Sequence, residues 1–253
     1  MRIWLRIAAV TSACLGVLIA GTAVKAAEIA LMTTAAVEQI MLGLIPPFER
    51  ASGHKVSMSV FGTGAAVARI KEGTFADLIL LGPDALNELA AAGKVNAGTI
   101  APAFNSRIGL AVRAGANKPD IATADALKKT LLDAKAIGHS IGPSGEHFSK
   151  VIIIRLGIAD QIKSKITVVR GMPVAAAVAK GDIEIGIHQI AELMPISGID
   201  VVGELPADLN KTIVYATGLA TMVKQPDAAK ELVKYLSLPG SAPVIRKNGM
   251  DPA

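Results

Sequence analysis

The sequence predicts an α/β protein built from two lobes. Two observations carry that expectation. Short β-branched runs alternate with alanine-rich amphipathic stretches, the pattern of helices packed on largely parallel sheets. The alternation falls into two successive sets of comparable size, followed by a late return of strand and helix. A single continuous sheet is the alternative that composition and periodicity leave open.

The first segment stands apart from this pattern. Met1 to Arg6 is a short basic stretch, Ile7 to Ala20 is almost uninterruptedly apolar, and Val24-Lys25-Ala26 places small side chains where a signal peptidase cuts. Together they predict a secretory signal over residues 1–26, cut after Ala26. A retained anchor is the alternative, but the apolar run is short for a membrane span. Cys14, the single cysteine, lies inside this run. The preceding Thr11-Ser12-Ala13 departs from a lipoprotein signal, which places a large aliphatic residue where Thr11 stands. Cleavage therefore leaves no cysteine and no disulfide or thiol chemistry, which suits the periplasm. Arg2, Arg6 and Lys25 leave with the signal, so the formal charge of +5 falls by three, to +2. That balance gives no support for nucleic-acid binding, which needs clustered Lys and Arg with stacking aromatics.

In the remaining chain, Ile29 to Met32 reads as the first strand. Thr33-Thr34 lead into helical spacing at Val37, Ile40, Met41, Leu44 and Phe48. Pro46-Pro47 are expected to kink or restart this helix, and Gly53 to end it. Lys55 to Phe61 alternates as a strand does, and Gly62-Thr63-Gly64 turns the chain into a helix over Ala65 to Lys71. Asp77 to Leu81 reads as a buried strand, and Pro83-Asp84 opens a helix to Ala92. Arg107 to Val112 is again a strand. The second set begins with a helix from Ala124 to Leu132 and a strand from Ala136 to Ile141. A tight Gly142-Pro143-Ser144-Gly145 turn then precedes a helix from Glu146 to Leu156. Strands follow over Ile166 to Val169, Ile183 to Ile187 and Val201 to Glu204, with a helix from Val174 to Lys180. Ile213 to Val223 reads extended, and a helix from Asp227 to Leu236 comes last. If the late return completes the first lobe, the chain crosses twice, near Arg107 to Leu110 and near Asn210 to Tyr215. The lobes are then residues 27–108 with 213–253, and residues 109–212.

Three strand ends run into small, polar or glycine-rich turns and then helices: Met32 to Ala36, Phe61 to Ala65, and Gly142 to Glu146. A helix start presents unpaired N–H groups and the positive end of a dipole. Glycine lets an anion approach the backbone, as at Gly64 and Gly145. The hydroxyls of Thr33, Thr34, Thr63 and Ser144 add donors, although any one of them can equally serve as a helix cap. Several such starts in one cleft would hold a small anion without lysine or arginine. His147 and His188 lie at strand-to-helix junctions and can donate to a carboxylate or oxyanion. They can also pair as a weak metal site with Glu146 or Glu192, though the spacings match no familiar zinc motif. His54 is expected exposed at a turn, and His139 in the core or at a sheet edge. Gln189 offers donor and acceptor to a ligand, or caps the next helix. Arg170, at a strand end, can meet an acidic ligand or remain a surface charge. Gly62-Thr63-Gly64 lacks the third glycine of a dinucleotide fingerprint, and no Walker motif occurs. No cofactor is therefore expected. A secreted enzyme using His147 or His188 as general base remains the alternative to simple binding.

At these turns the chain resembles the periplasmic molybdate-binding proteins of bacterial ABC importers and their broader solute-binding relatives. The resemblance runs from Pro47 to Val56 through Phe61-Gly62-Thr63-Gly64-Ala65 and Ala76-Asp77-Leu78-Ile79-Leu80. It continues to Gly142-Pro143-Ser144-Gly145 and Asp182 to Ile187. The resemblance implies a two-lobed periplasmic fold that closes by a hinge on a ligand between the lobes. It also implies a monomer that delivers a small anion to a membrane permease. Ala36 stands where the family places a serine, and Gln189 is most like the family's tyrosine position. Histidine and glutamine suit a flatter ligand with a carboxylate, so a molybdate-like oxyanion and a small organic acid both remain open.

Overall fold

The computed structural model describes residues 26–253. The predicted signal, apart from Ala26, and Cys14 lie outside the described residues. Among the described residues no helix is long and apolar enough to cross a membrane.

Strand β1 (Glu28–Thr33) pairs in parallel with β2 (Lys55–Val60), from Glu28 opposite Lys55 to Thr33 opposite Val60, and on its other side with β3 (Leu78–Leu81). Every residue of β3 is buried, as a central apolar run requires. Helix α1 (Ala35–Ser52) joins β1 to β2 and buries Val37, Ile40, Met41, Leu44 and Phe48 on one face. It runs unbroken through Pro46 and Pro47, where a kink or restart was expected. Phe48, beyond the prolines, is buried with Ile40, Met41, Leu44 and Ile45 before them. Packing on both sides thus holds the axis across the hydrogen bonds that proline cannot donate. Gly53 ends the helix at φ 77°, with its N–H on the Glu49 carbonyl. Helices α2 (Thr63–Lys71) and α3 (Pro83–Ala91) follow β2 and β3.

Strand β4 (Ala101–Ser106) was not anticipated, in a stretch interrupted by Pro102. Pro102 sits at a register irregularity opposite Ala216, a place where a missing N–H is tolerated. The chain then enters the second sheet at β5 (Ile108–Arg113), so only Arg107 separates the two sheets here. Helix α4 (Ala124–Asp133) and strand β6 (Ile137–His139) follow. The expected helix from Glu146 to Leu156 is α5 (Pro143–His147), a π turn over Phe148–Ile152, and α6 (Ile153–Arg155). Its earlier start fits Pro143, whose missing N–H has no intrahelical acceptor at a first turn. Then come α7 (Ala159–Ile162), β7 (Ile166–Val168), α8 (Val174–Lys180), β8 (Ile185–Gln189), α9 (Ile190–Leu193) and β9 (Ile199–Glu204). The chain returns through β10 (Ile213–Leu219), α10 (Pro226–Leu236), α11 (Ala242–Lys247) and β11 (Met250–Pro252).

The six-stranded sheet has the order β11-β4-β10-β3-β1-β2, and the five-stranded sheet the order β7-β6-β8-β5-β9. Both are mixed rather than largely parallel. β10 runs antiparallel to β3 and β4, and β5 antiparallel to β8 and β9. The strands that carry the chain between sheets need no crossover helix to reverse direction. Where the chain returns, the Asn210 carboxamide accepts from the Ile108 N–H at 3.1 Å and donates to the carbonyls of Ile108 at 3.0 Å and Leu205 at 3.1 Å. It binds the two passages to each other.

One buried acid ties the first sheet together. Asp77 is 1% exposed and accepts the N–H groups of Ala30, Lys224 and Gln225. It thereby joins β1 to the residues that open α10. Asp77→Ala leaves three donors short of an acceptor and should lower unfolding free energy by at least about 3 kcal/mol in urea titration. A loss below about 1 kcal/mol would mean that water replaces the carboxylate.

Candidate functional site

The helix that follows β1 in the first sheet and the carboxyl ends of β6 and β8 in the second line a shared cleft of about 410 Å³. Its lining includes Ala35 and Glu38 from α1, Ser140 after β6, Pro173 before α8, His188 in β8, and Glu192 in α9. A larger groove of about 770 Å³ lies among Arg113, Lys129, Asp133 and Glu184. It is at the opposite, amino-terminal ends of β6 and β8, away from the edge where open α/β sheets take ligands.

On the first lobe, the cleft meets the start of α1. Thr34 holds the N-cap position, but its hydroxyl makes no capping bond, and Ala35 behind it is exposed. The first N–H groups of this 18-residue helix thus point from an uncapped end. Thr33 is spent elsewhere, because its buried hydroxyl donates to the Leu80 carbonyl at 2.9 Å and braces β1 against β3.

On the second lobe, His188 is 9% exposed and reaches the cleft from β8. Its Nδ1 lies 2.9 Å from Glu192 Oε2. The approach is too oblique for a hydrogen bond, so this buried nitrogen has no partner among the described residues. Gln189 lies next to it, pointing inward. Its Nε2 donates to Glu192 Oε2 at 3.0 Å, and its Oε1 accepts from the Tyr215 hydroxyl at 3.1 Å. Tyr215 belongs to β10, so this buried bond links the two sheets. Burial pushes the Tyr215 hydroxyl well above its ordinary value of 10.0, and the Glu192 carboxylate pushes it further, against the opposing hydrogen bond to Gln189.

The other residues singled out from sequence take different places. Ser144 is fully buried, with its hydroxyl 3.4 Å from that of Ser140. Gly145 is packed so closely that a Cβ would lie 1.8 Å from the Ser140 carbonyl oxygen, so glycine is required there by packing. His147 is bonded through Nε2 to the Leu209 carbonyl at 2.9 Å, near the return passage. Thr63 and Gly64 border a shallow groove with Asp84 and Glu88, outside the cleft lining. Arg170 is exposed on the loop that carries Met172 and Pro173 into the lining. His139 is buried, as anticipated. His54 is buried rather than exposed, because it accepts from the Ala27 N–H and lies 3.2 Å from Glu231. That acid comes from α10, and nothing near His54 in sequence announces it. Among the described residues no group of three potential ligands is placed to hold a metal ion.

Residues 29–251 match the family of bacterial extracellular solute-binding proteins, and the chain belongs to it. An aconitate isomerase of Pseudomonas sp is 32% identical over 212 residues, which cover 82% of this chain and 81% of that protein. The molybdate-binding protein ModA of Azotobacter vinelandii is 29% identical over 247 residues, covering 93% and 94%. In solved form, an Azotobacter vinelandii periplasmic molybdate-binding protein superposes with a TM-score of 0.70 at 18% identity, covering 88% of this chain and 98% of that one. The two-lobed α/β expectation and the resemblance to molybdate-binding proteins both stand.

The Tyr215 environment has a pH signature. A hydroxyl whose folded value is raised contributes stability that is complete below the unfolded value of 10.0 and is lost as pH rises beyond it. In Tyr215→Phe, unfolding free energy from urea titration should fall less steeply above pH 10.0 than in the unaltered protein. Equal slopes would mean that Tyr215 ionises as freely in the folded chain as in the unfolded one.

Proposed function

We propose that this protein captures a small organic acid in the interlobe cleft, in the periplasm, and delivers it to the permease of an ABC importer. The observation that carries the reading is the meeting of an uncapped helix start and His188 in the lining of one cleft. A ligand carboxylate would take the first N–H groups of α1 and the Ser140 hydroxyl. The His188 ring would serve a second polar group. Pro173, Val174, Ala191 and Ile196 give an apolar wall for a carbon skeleton, which a bare tetrahedral ion does not need. The similarity to an aconitate isomerase supports an organic acid, and the similarity to ModA supports anion capture. Arg170, exposed on the loop that precedes Met172 and Pro173, would add a positive charge near the mouth if the lobes closed on an acid.

A second reading follows from the same isomerase similarity and from the closeness of His188 to Glu192. A histidine beside a carboxylate at a ligand cleft can move a proton, which would make the protein an isomerase of the acid it binds. His188 is the candidate base, since His147 is engaged with the Leu209 carbonyl.

Calorimetry with molybdate, sulfate and mono-, di- and tricarboxylates separates these readings. One-to-one binding of a carboxylate, weakened at least tenfold (about 1.4 kcal/mol) in His188→Ala, is the expected result. Tight molybdate binding with no carboxylate heat would overturn the organic-acid reading. Conversion of the bound acid, followed by proton NMR, would establish the isomerase.

A further inference from the structure

We propose that Glu192 sets the selectivity of the cleft by demanding a proton from the ligand. Its carboxylate accepts a hydrogen bond from an acid that carries a hydroxyl or a protonated carboxyl, and it rejects fully ionised tetrahedral oxyanions. The inference rests on the cleft being the binding site.

The direction of the hydrogen bonds behind Glu192 is fixed from the core outward. Tyr215 is buried in β10 and donates its O–H to Gln189 Oε1. With its oxygen taken, the Gln189 amide must turn its Nε2 toward the cleft, where it donates to Glu192 Oε2 at 3.0 Å. Glu192 therefore stands as an acceptor, and nothing on the protein side asks it to donate. Its Oε1 has no hydrogen-bond partner among the described residues, and the side chain is 27% exposed where it borders the cleft.

The rest of the lining sharpens the consequence. Among the described residues it contributes no lysine or arginine, and its ionisable side chains are Glu38, His188 and Glu192. Glu38 projects from the first turn of α1 on the opposite lobe. A ligand entering here meets neutral donors at the helix start and at Ser140, and acceptors at Glu192 and, across the cleft, Glu38. Molybdate or sulfate presents acceptor oxygens on every side, so one of them would face the carboxylate with no proton between them. Solvent screens such a contact weakly in a partly enclosed site. An acid with a hydroxyl or a retained proton satisfies both ends, donating to Glu192 while its ionised carboxylate takes the helix N–H groups. His188 Nδ1 lies 2.9 Å from Glu192 Oε2 but makes no hydrogen bond to it, so the free Oε1 is the oxygen left for a ligand proton.

The test is calorimetry on the unaltered protein, Glu192→Gln and Glu192→Asp, using sodium citrate, sodium sulfate and sodium molybdate as probes. Glutamine keeps the shape and removes the charge. Relative to the unaltered protein, Glu192→Gln should bind citrate about tenfold more weakly and sulfate or molybdate about tenfold more tightly. Glu192→Asp should retain the preference for citrate. Thermal melts that agree among the three proteins exclude a folding defect as the cause. If the unaltered protein binds a probe and Glu192→Gln changes all affinities in parallel, the selectivity role is overturned while the cleft reading survives. If the unaltered protein binds none of the three, the cleft reading falls and the selectivity role with it.

Discussion

Ile108 is held at both its N–H and its carbonyl by one side chain, the Asn210 carboxamide, and the geometry of the cleft follows from that clamp. Ile108 opens β5, where the chain first enters the second sheet. In that sheet it pairs with Gln189, and Gly109 pairs with His188. On the other side of the passage, Ser106 pairs with Ile213, and Phe104 with Tyr215. The clamp therefore holds the start of β5, and β8 paired with it, to the chain that returns into β10. That is why Gln189 and Tyr215, from different sheets, come within hydrogen-bond distance. Gly109 belongs to the same constraint. A Cβ there would lie 2.8 Å from the Gly203 carbonyl oxygen and 2.6 Å from Ile190, so β5, β9 and the start of α9 can close only on glycine.

Burial makes the polar chain through this junction consequential. A typical hydrogen bond contributes about 1 kcal/mol net, while a buried group left without one costs about 1–3 kcal/mol. Tyr215, Gln189 and Glu192 are joined in series, and the first two are almost wholly buried. Separation of the lobes at this point would leave the Tyr215 hydroxyl and the Gln189 carbonyl short of partners unless water enters. The series runs from the buried junction of the two sheets to the edge of the cleft.

The layout of strands and helices was legible because it is written in local periodicity. The face of α1, the run of β3 and the stop at Gly53 all follow from spacing and from one positive φ. Where sequence reading failed, the deciding partner was distant. His54 is buried by a contact to Glu231 that spans 177 residues, and β4 is held by β10 and β11 from the far end of the chain. The candidate site divides in the same way. His188 and Thr34 were legible as residues at junctions. Thr33 and Ser144 were identified by type but are turned into the fold by Leu80 and Ser140. Glu192 carried a weak local signal, four residues beyond His188 across the strand-to-helix junction, yet its hydrogen bond comes from a Gln189 amide oriented by the distant Tyr215.

Gln189 makes clear why one substituted position changes more than one contact. It stands where the resembling family places a tyrosine, and a tyrosine hydroxyl is in fact present nearby, contributed by Tyr215. That hydroxyl is buried and donates inward to the Gln189 carbonyl, so it is removed from the ligand's reach. The amide then donates one step outward, to the Glu192 carboxylate. What a hydroxyl would have offered an incoming anion, a free donor, is replaced at the cleft by a carboxylate that is itself an acceptor. A site altered this way keeps its fold, its helix start and its size. It inverts the hydrogen-bonding character of one wall, and under the selectivity proposed above the anion that fits is one that brings its own proton.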